Sequence, residues 1–105
     1  MKKRRLVFSD AAITDIVEQA EWYTAQSGRR LADRWQKAVT LTISLASSSP
    51  PVGVLCTFRS PLLRDIRRLT IAGFPKHLLF YRFDDAEVFV LRVVHGARDL
   101  ERLLS

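Results

Sequence analysis

The feature that most constrains this chain is an interruption, the run Ser47-Ser48-Ser49-Pro50-Pro51-Val52-Gly53, in which poor helix formers and two prolines end any helix. Before it, apolar residues recur at helical spacing. After it, they gather in short β-branched and aromatic runs. A chain that changes period once, from helix to strand, reads as α+β, with helices packed on one side of a small antiparallel sheet.

In the first half, Arg4 to Phe8 reads as a short strand and Ser9 as the N-cap of the helix that follows, with Asp10 near its positive end. Ile13, Ile16, Val17, Ala20 and Tyr23 form the stripe expected to face the core, and Gly28 ends the helix at a left-handed C-terminal position. A second helix from about Arg29 to Ser47 carries Leu31, Trp35, Ala38, Val39, Thr42, Leu45 and Ala46 on one face. Two helices joined by one glycine-marked turn make an antiparallel hairpin.

In the second half, Arg64 to Ile71, His77 to Phe83 and Glu87 to Val94 read as strands, separated by Ala72-Gly73-Phe74-Pro75-Lys76 and by Asp84-Asp85-Ala86. Separators of that length give a meander of hairpins. Along the last strand Phe89, Leu91 and Val93 alternate with Val88, Val90, Arg92 and Val94, so the first set is expected to face the helices. His95-Gly96-Ala97 reads as a turn and Arg98 to Leu104 as a short closing helix. The expected order is β-α-α-β-β-β-α in one domain, 1–105.

The charge narrows the class of partner. Of 17 basic residues 13 are Arg, and the formal charge is +6. A guanidinium meets carboxylate or phosphate through paired hydrogen bonds, so an acidic partner is implied, either nucleic acid or an acidic protein segment. From Ser9 to Gly28, however, the chain holds Asp10, Asp15, Glu18 and Glu21 and no Lys or Arg, which leaves +10 in the rest. A solvated acidic helix face explains that segment without a function.

Cys56 is the sole cysteine, so no internal disulfide or cysteine-based zinc site forms, and a reducing cytoplasm is the expected location. The basic opening is followed by Leu6, Val7 and Phe8 alone, too few for a signal peptide, and no membrane span is expected. His77 and His95 stand 18 positions apart without a paired Cys, so no metal site is expected either. No motif asks for a cofactor or a small-molecule substrate.

The run Leu91-Arg92-Val93-Val94-His95-Gly96-Ala97-Arg98-Asp99-Leu100 resembles the "LRVLHGARDL" ending of the ParE branch of the ParE/RelE toxin superfamily. Supporting pieces fall in the family's order: Phe8-Ser9 with Ala12 and Asp15, Trp22-Tyr23 before Gly28, Pro51-Val52-Gly53, and Phe80-Tyr81-Arg82. The resemblance implies the toxin of a type II toxin-antitoxin pair in a bacterial cytoplasm, associated with plasmid stabilisation. It further implies neutralisation by an acidic ParD-like antitoxin whose C-terminal segment wraps the toxin, and contact with operator DNA only through that antitoxin. ParE-type members poison DNA gyrase, whereas RelE-type members cut mRNA on the ribosome, and fold alone does not choose between them.

Metal-free RNA cleavage needs a base, an acid and cations set close together. If this chain is a ribonuclease, its candidates are His95 with Arg82, Arg92 and Arg98. The C-terminal Tyr common in RelE-like enzymes has no counterpart, since nothing aromatic follows His95, and a structural imidazole is the plainer role there. A poison that binds gyrase non-covalently needs no catalytic group, so the chain is expected not to be an enzyme. Arg64, Arg67, Arg68, Arg82, Arg92, His95, Arg98 and Asp99 are its candidate contacts with target or antitoxin. Arg68, Arg82 and Arg92 are expected to align on the helix-free face, either as solvated charge or as a docking surface, while Asp99 can equally cap the closing helix. Trp22, Tyr23 and Trp35 read as hairpin core.

Overall fold

The computed structural model describes residues 4–96 and 102–103. It consists of β1 (Arg5–Phe8), α1 (Asp10–Ser27), α2 (Arg29–Ser48), β2 (Val54–Leu55), β3 (Arg67–Ile71), β4 (Phe74–Phe83) and β5 (Glu87–His95), with 3-10 turns at Pro50–Val52 and Pro61–Leu63. Among the described residues the strands form one sheet in the order β1-β5-β4-β3-β2. The β3-β4-β5 meander is antiparallel, as expected, and β1 joins it parallel to β5.

Ser9 caps α1 through its Oγ, which accepts the Ala12 N–H. Gly28 ends α1 and starts α2 with φ 87° and ψ 173°, an extended conformation at positive φ that glycine adopts without a Cβ penalty, rather than the compact left-handed one expected. That residue alone reverses the chain into the hairpin.

The helices cover one side of the sheet. Trp35, Ile43, Leu79, Tyr81, Val88 and Val90 form the centre of this core with Ala12 and Ala20. The apolar stripe of α1 is turned relative to the expectation: Ala12, Ile16, Ala20 and Tyr23 face inward, while Ile13 and Val17 are 50% and 46% exposed. In α2, Ile43 is buried and Leu45 exposed. Small alanines permit closer approach than branched side chains, so packing overrides the hydropathy of single positions.

Two further expectations are corrected. The register passes from Phe80↔Arg92 to Tyr81↔Val90, so Leu91 is an extra residue in β5. This bulge reverses the alternation. Val88, Val90 and Val93 therefore face the helices, and Phe89, Leu91, Arg92 and Val94 the other side. Ser9 Oγ donates to the Leu91 carbonyl at 2.6 Å, occupying the acceptor that the bulge takes out of the ladder. β3 begins at Arg67, not Arg64, because Asp65 has φ 62° and breaks the extended run. β4 starts at Phe74, which shortens the separator to Ala72-Gly73 with Gly73 at φ 79°.

The side away from the helices is not bare. The segment 56–66 folds over it, and Leu63, Ile66, Phe80 and Val94 form a second, smaller core with Leu78, Leu91 and Leu103 packed against it. The Pro50–Gly53 turn is tied to the sheet by Tyr81, whose hydroxyl donates to the Pro50 carbonyl and accepts the Gly53 N–H at 2.9 Å. A Cβ on Gly53 would lie 2.4 Å from that hydroxyl oxygen, so no side chain fits there. Of the expected closing helix, Arg102 and Leu103 are helical and the rest lies outside the described residues.

Candidate binding surface

The strand register puts Arg68, Phe80 and Arg92 in one row on the side away from the helices, with Arg82 on the same face two residues along β4. These arginines differ in what holds them. Arg92 grips Asp15 of α1 with two hydrogen bonds, Nε to Oδ2 and Nη2 to Oδ1, each 2.8 Å. Asp15 Oδ2 also accepts the Val93 N–H at 3.0 Å, and Arg92 Nη1 donates to the Leu103 carbonyl. The carboxylate raises the pKa of Arg92 further, mainly through the hydrogen bond. Arg92 therefore ties α1, β5 and the C-terminal segment together, and its charge is balanced.

Arg67 belongs to the opposite side by register. It donates to the carbonyls of Pro51 and Gly53, at 3.2 and 2.8 Å, and lies over the Phe83 ring. Arg64 is exposed in the loop before β3 and offers its carbonyl to Arg82. Arg82 Nη2 donates to the carbonyls of Leu62 and Arg64, each at 3.3 Å, so this guanidinium fastens the 3-10 turn to the sheet. Its Nε is shut off from water and has no hydrogen-bond partner. Arg98 and Asp99 lie outside the described residues.

Beside these groups is an apolar groove of about 460 Å³. Leu62, Leu63, Ile66 and Leu91 line it, with Arg82 and Arg92 in its wall and Ser9 and Ser60 among its polar edges. Leu62 on its rim is 83% exposed.

His95 is elsewhere. It pairs across the sheet with His77, their rings 5.6 Å apart, at a cleft shared with Gln19, Trp22 and Tyr23. An adjoining cleft brings His95 together with Arg92, Asp15 and Glu18. Burial pushes His77 below the usual histidine range, with a further contribution from the nearby His95, and burial pushes the Tyr23 phenol up. Trp35 and Tyr23 are core, as expected, whereas Trp22 is exposed. Among the described residues, no three His, Cys, Asp or Glu side chains group as metal ligands.

The groove and the Asp15 pairing were not read from the sequence. Asp15 and Arg92 are separated by 77 positions, and the 3-10 turn Pro61–Leu63 falls in none of the elements expected from the sequence. An apolar pair after Ser-Pro, too short for a strand, was the available signal.

A family model described as the ParE toxin of type II toxin-antitoxin system, parDE, matches residues 6–100. The chain belongs to the ParE toxin family. Its fold is shared with a chain of the chromosomal ParDE TA system from P. aeruginosa, with a TM-score of 0.72, 16% identity, and coverage of 89% of this chain and 96% of that one. No match is found among curated proteins. In this fold the Arg92-Val93-Val94-His95 segment lies on β5, with Arg92 turned toward Asp15 and His95 toward His77. Among the described residues no helix is long and apolar enough to cross a membrane.

Proposed function

We propose that this ParE-family toxin inhibits DNA gyrase by non-covalent binding, in the cytoplasm, and is neutralised by an acidic ParD-like antitoxin. The observation that carries the choice against RNA cleavage is the Asp15–Arg92 pair. A cation that must neutralise a developing phosphorane has to be free to approach the phosphate, whereas Arg92 is engaged at two nitrogens by a carboxylate. The wall beside His95 also carries Glu18. A scissile phosphate brought to His95 there would meet Asp15 and Glu18 together with an Arg92 already paired to Asp15. Binding needs none of this chemistry, only a shaped and charged surface.

One feature favours the ribonuclease reading: two imidazoles meet edge to face, and burial favours the unprotonated form of His77, the form that a base requires. Inducible expression in bacteria without an antitoxin separates the readings. Growth arrest with DNA breakage and intact mRNA is the expected result. Codon-positioned mRNA cuts that His95→Ala abolishes would replace it with the enzymatic reading, and unaffected growth would leave an antitoxin-binding protein without toxicity.

A further inference from the structure

We propose that His77 and His95 form a two-histidine chelate, open to the cleft beside Trp22 and Tyr23, for a divalent metal ion that prefers nitrogen ligands, such as zinc. The site is independent of the toxin reading.

Strand pairing brings the two imidazoles together. His77 of β4 stands opposite His95 of β5, and the adjoining pair is closed by a hydrogen bond from the Gly96 N–H to the Lys76 carbonyl at 2.8 Å. His77 and His95 are therefore a non-hydrogen-bonded pair, the kind whose side chains stand closest in an antiparallel ladder. Their ring centroids are 5.6 Å apart. Two imidazoles on one tetrahedral ion, with about 2.0–2.1 Å from metal to nitrogen, hold their centroids roughly 5 Å apart, so the backbone already sets nearly the spacing that chelation requires. The edge-to-face contact converts to chelation by rotation of the His95 ring, which is exposed at the end of β5.

His77 carries the stronger signal. It is 8% exposed, and the rings of Trp35, Tyr23 and Phe74 pack about it with centroids at 4.8, 6.4 and 6.4 Å. A polar side chain buried so deeply ordinarily has a hydrogen-bond partner. Among the described residues nothing bonds the His77 ring nitrogens, which open on a cleft of about 590 Å³. A metal ion accepting a nitrogen lone pair fills that want, and a ring fixed by packing is a pre-organised ligand.

The surroundings select the ion. In the adjoining cleft Glu18 lies beside His95, while Asp15 and Arg92 balance one another, so the local charge favours a cation. Imidazole nitrogens suit zinc and copper, whereas magnesium and calcium take oxygen ligands. Among the described residues no third His, Cys, Asp or Glu completes the set, so water fills the remaining positions and the affinity falls below that of a structural zinc site.

The test uses the purified full chain, free of any affinity tag and labelled with nitrogen-15, titrated with zinc chloride and, as a control, magnesium chloride. One zinc ion per chain is expected, with the ring-nitrogen signals of both histidines moving and the thermal midpoint rising, because the ion binds the folded state. His95→Gln, at an exposed position that keeps the fold, should weaken zinc at least tenfold, a change that even outer-shell partners of metal sites produce. His77→Gln should do the same, and Cys56→Ser should leave zinc binding unchanged.

Zinc binding that survives His95→Gln, binding lost in Cys56→Ser, an equal response to magnesium, or no saturation below about 1 mM zinc would each overturn the proposal. Expression in bacteria keeps the two readings apart. A chain that arrests growth but binds no zinc loses the metal site alone, and one that binds zinc without toxicity loses the toxin reading alone.

Discussion

The two sides of the sheet are built differently. On the helix side, α1 and α2 lay a continuous core over β4 and β5, with Trp35, Tyr81, Leu79 and Val88 fully buried. On the other side a smaller core, centred on Phe80 and Ile66, lies under the irregular segment 56–66, and a groove remains open. Regular elements bury apolar surface efficiently, whereas an irregular cover leaves hollows and exposed side chains that suit recognition. Stability is therefore expected to reside mainly on the helix side and binding on the other, with the Asp15–Arg92 pair as the joint between them.

The contrast breaks first if Trp35→Ala is mild. Its ring is fully buried and its indole N–H donates to the Ile16 carbonyl, so the substitution should cost about 4 kcal/mol and lower Tm by about 20 °C in thermal unfolding followed by circular dichroism. Leu62→Ser on the opposite side should stay within about 0.5 kcal/mol.

The joint is tested by Asp15→Ala, which strands the Arg92 guanidinium and the Val93 N–H together. With side-chain exposures of 20% and 12%, the pair is largely removed from water. Loss of one partner should cost about 3 kcal/mol in urea unfolding. A loss below about 1 kcal/mol would mean that the two faces are held together by other contacts.

Tyr81→Phe is smaller and more local. It leaves the Pro50 carbonyl and the Gly53 N–H without their partner, for about 2 kcal/mol in the same assay.

Acid should act through the helix side. The folded state holds His77 below its ordinary pKa because the charged form loses its water in the core and is repelled by His95. The groups facing it, Tyr23, Trp35 and Phe74, include no acid to offset that. The unfolded chain therefore binds a proton more readily, and the stabilisation is full above about pH 6.5 and lost as pH falls through the folded pKa. Urea midpoints of wild type and His77→Gln should converge as pH is lowered from 7.5 to 5. Arg5→Ala gives the smallest effect, within about 0.5 kcal/mol, because its partner Glu87 meets it at a side chain that is 78% exposed.

Much of this was legible beforehand. The change of period at Ser47–Gly53 marks the passage from hairpin to sheet, and Ser9 and Gly28 mark the bounds of α1. What stayed hidden depends on contacts between distant residues. The bulge at Leu91 exists because β4 and β5 pair with an offset and Ser9 reaches its carbonyl, so alternation along β5 alone assigned the wrong face to the helices. Arg68, Arg82 and Arg92 do share a face, yet what holds them lies far away in the chain, Asp15 for Arg92 and the carbonyls of Leu62 and Arg64 for Arg82. The cover over the second face follows from Asp65 at positive φ and from a 3-10 turn, neither of which has a periodic signature.

The most direct measurement adds the purified chain to DNA gyrase and plasmid, with cleavage complexes and supercoiling followed together. Accumulation of cleaved DNA with loss of supercoiling, by wild type and by His95→Ala alike, is the result expected of a non-covalent gyrase poison. Unchanged supercoiling and cleavage at saturating protein would contradict the proposed mechanism.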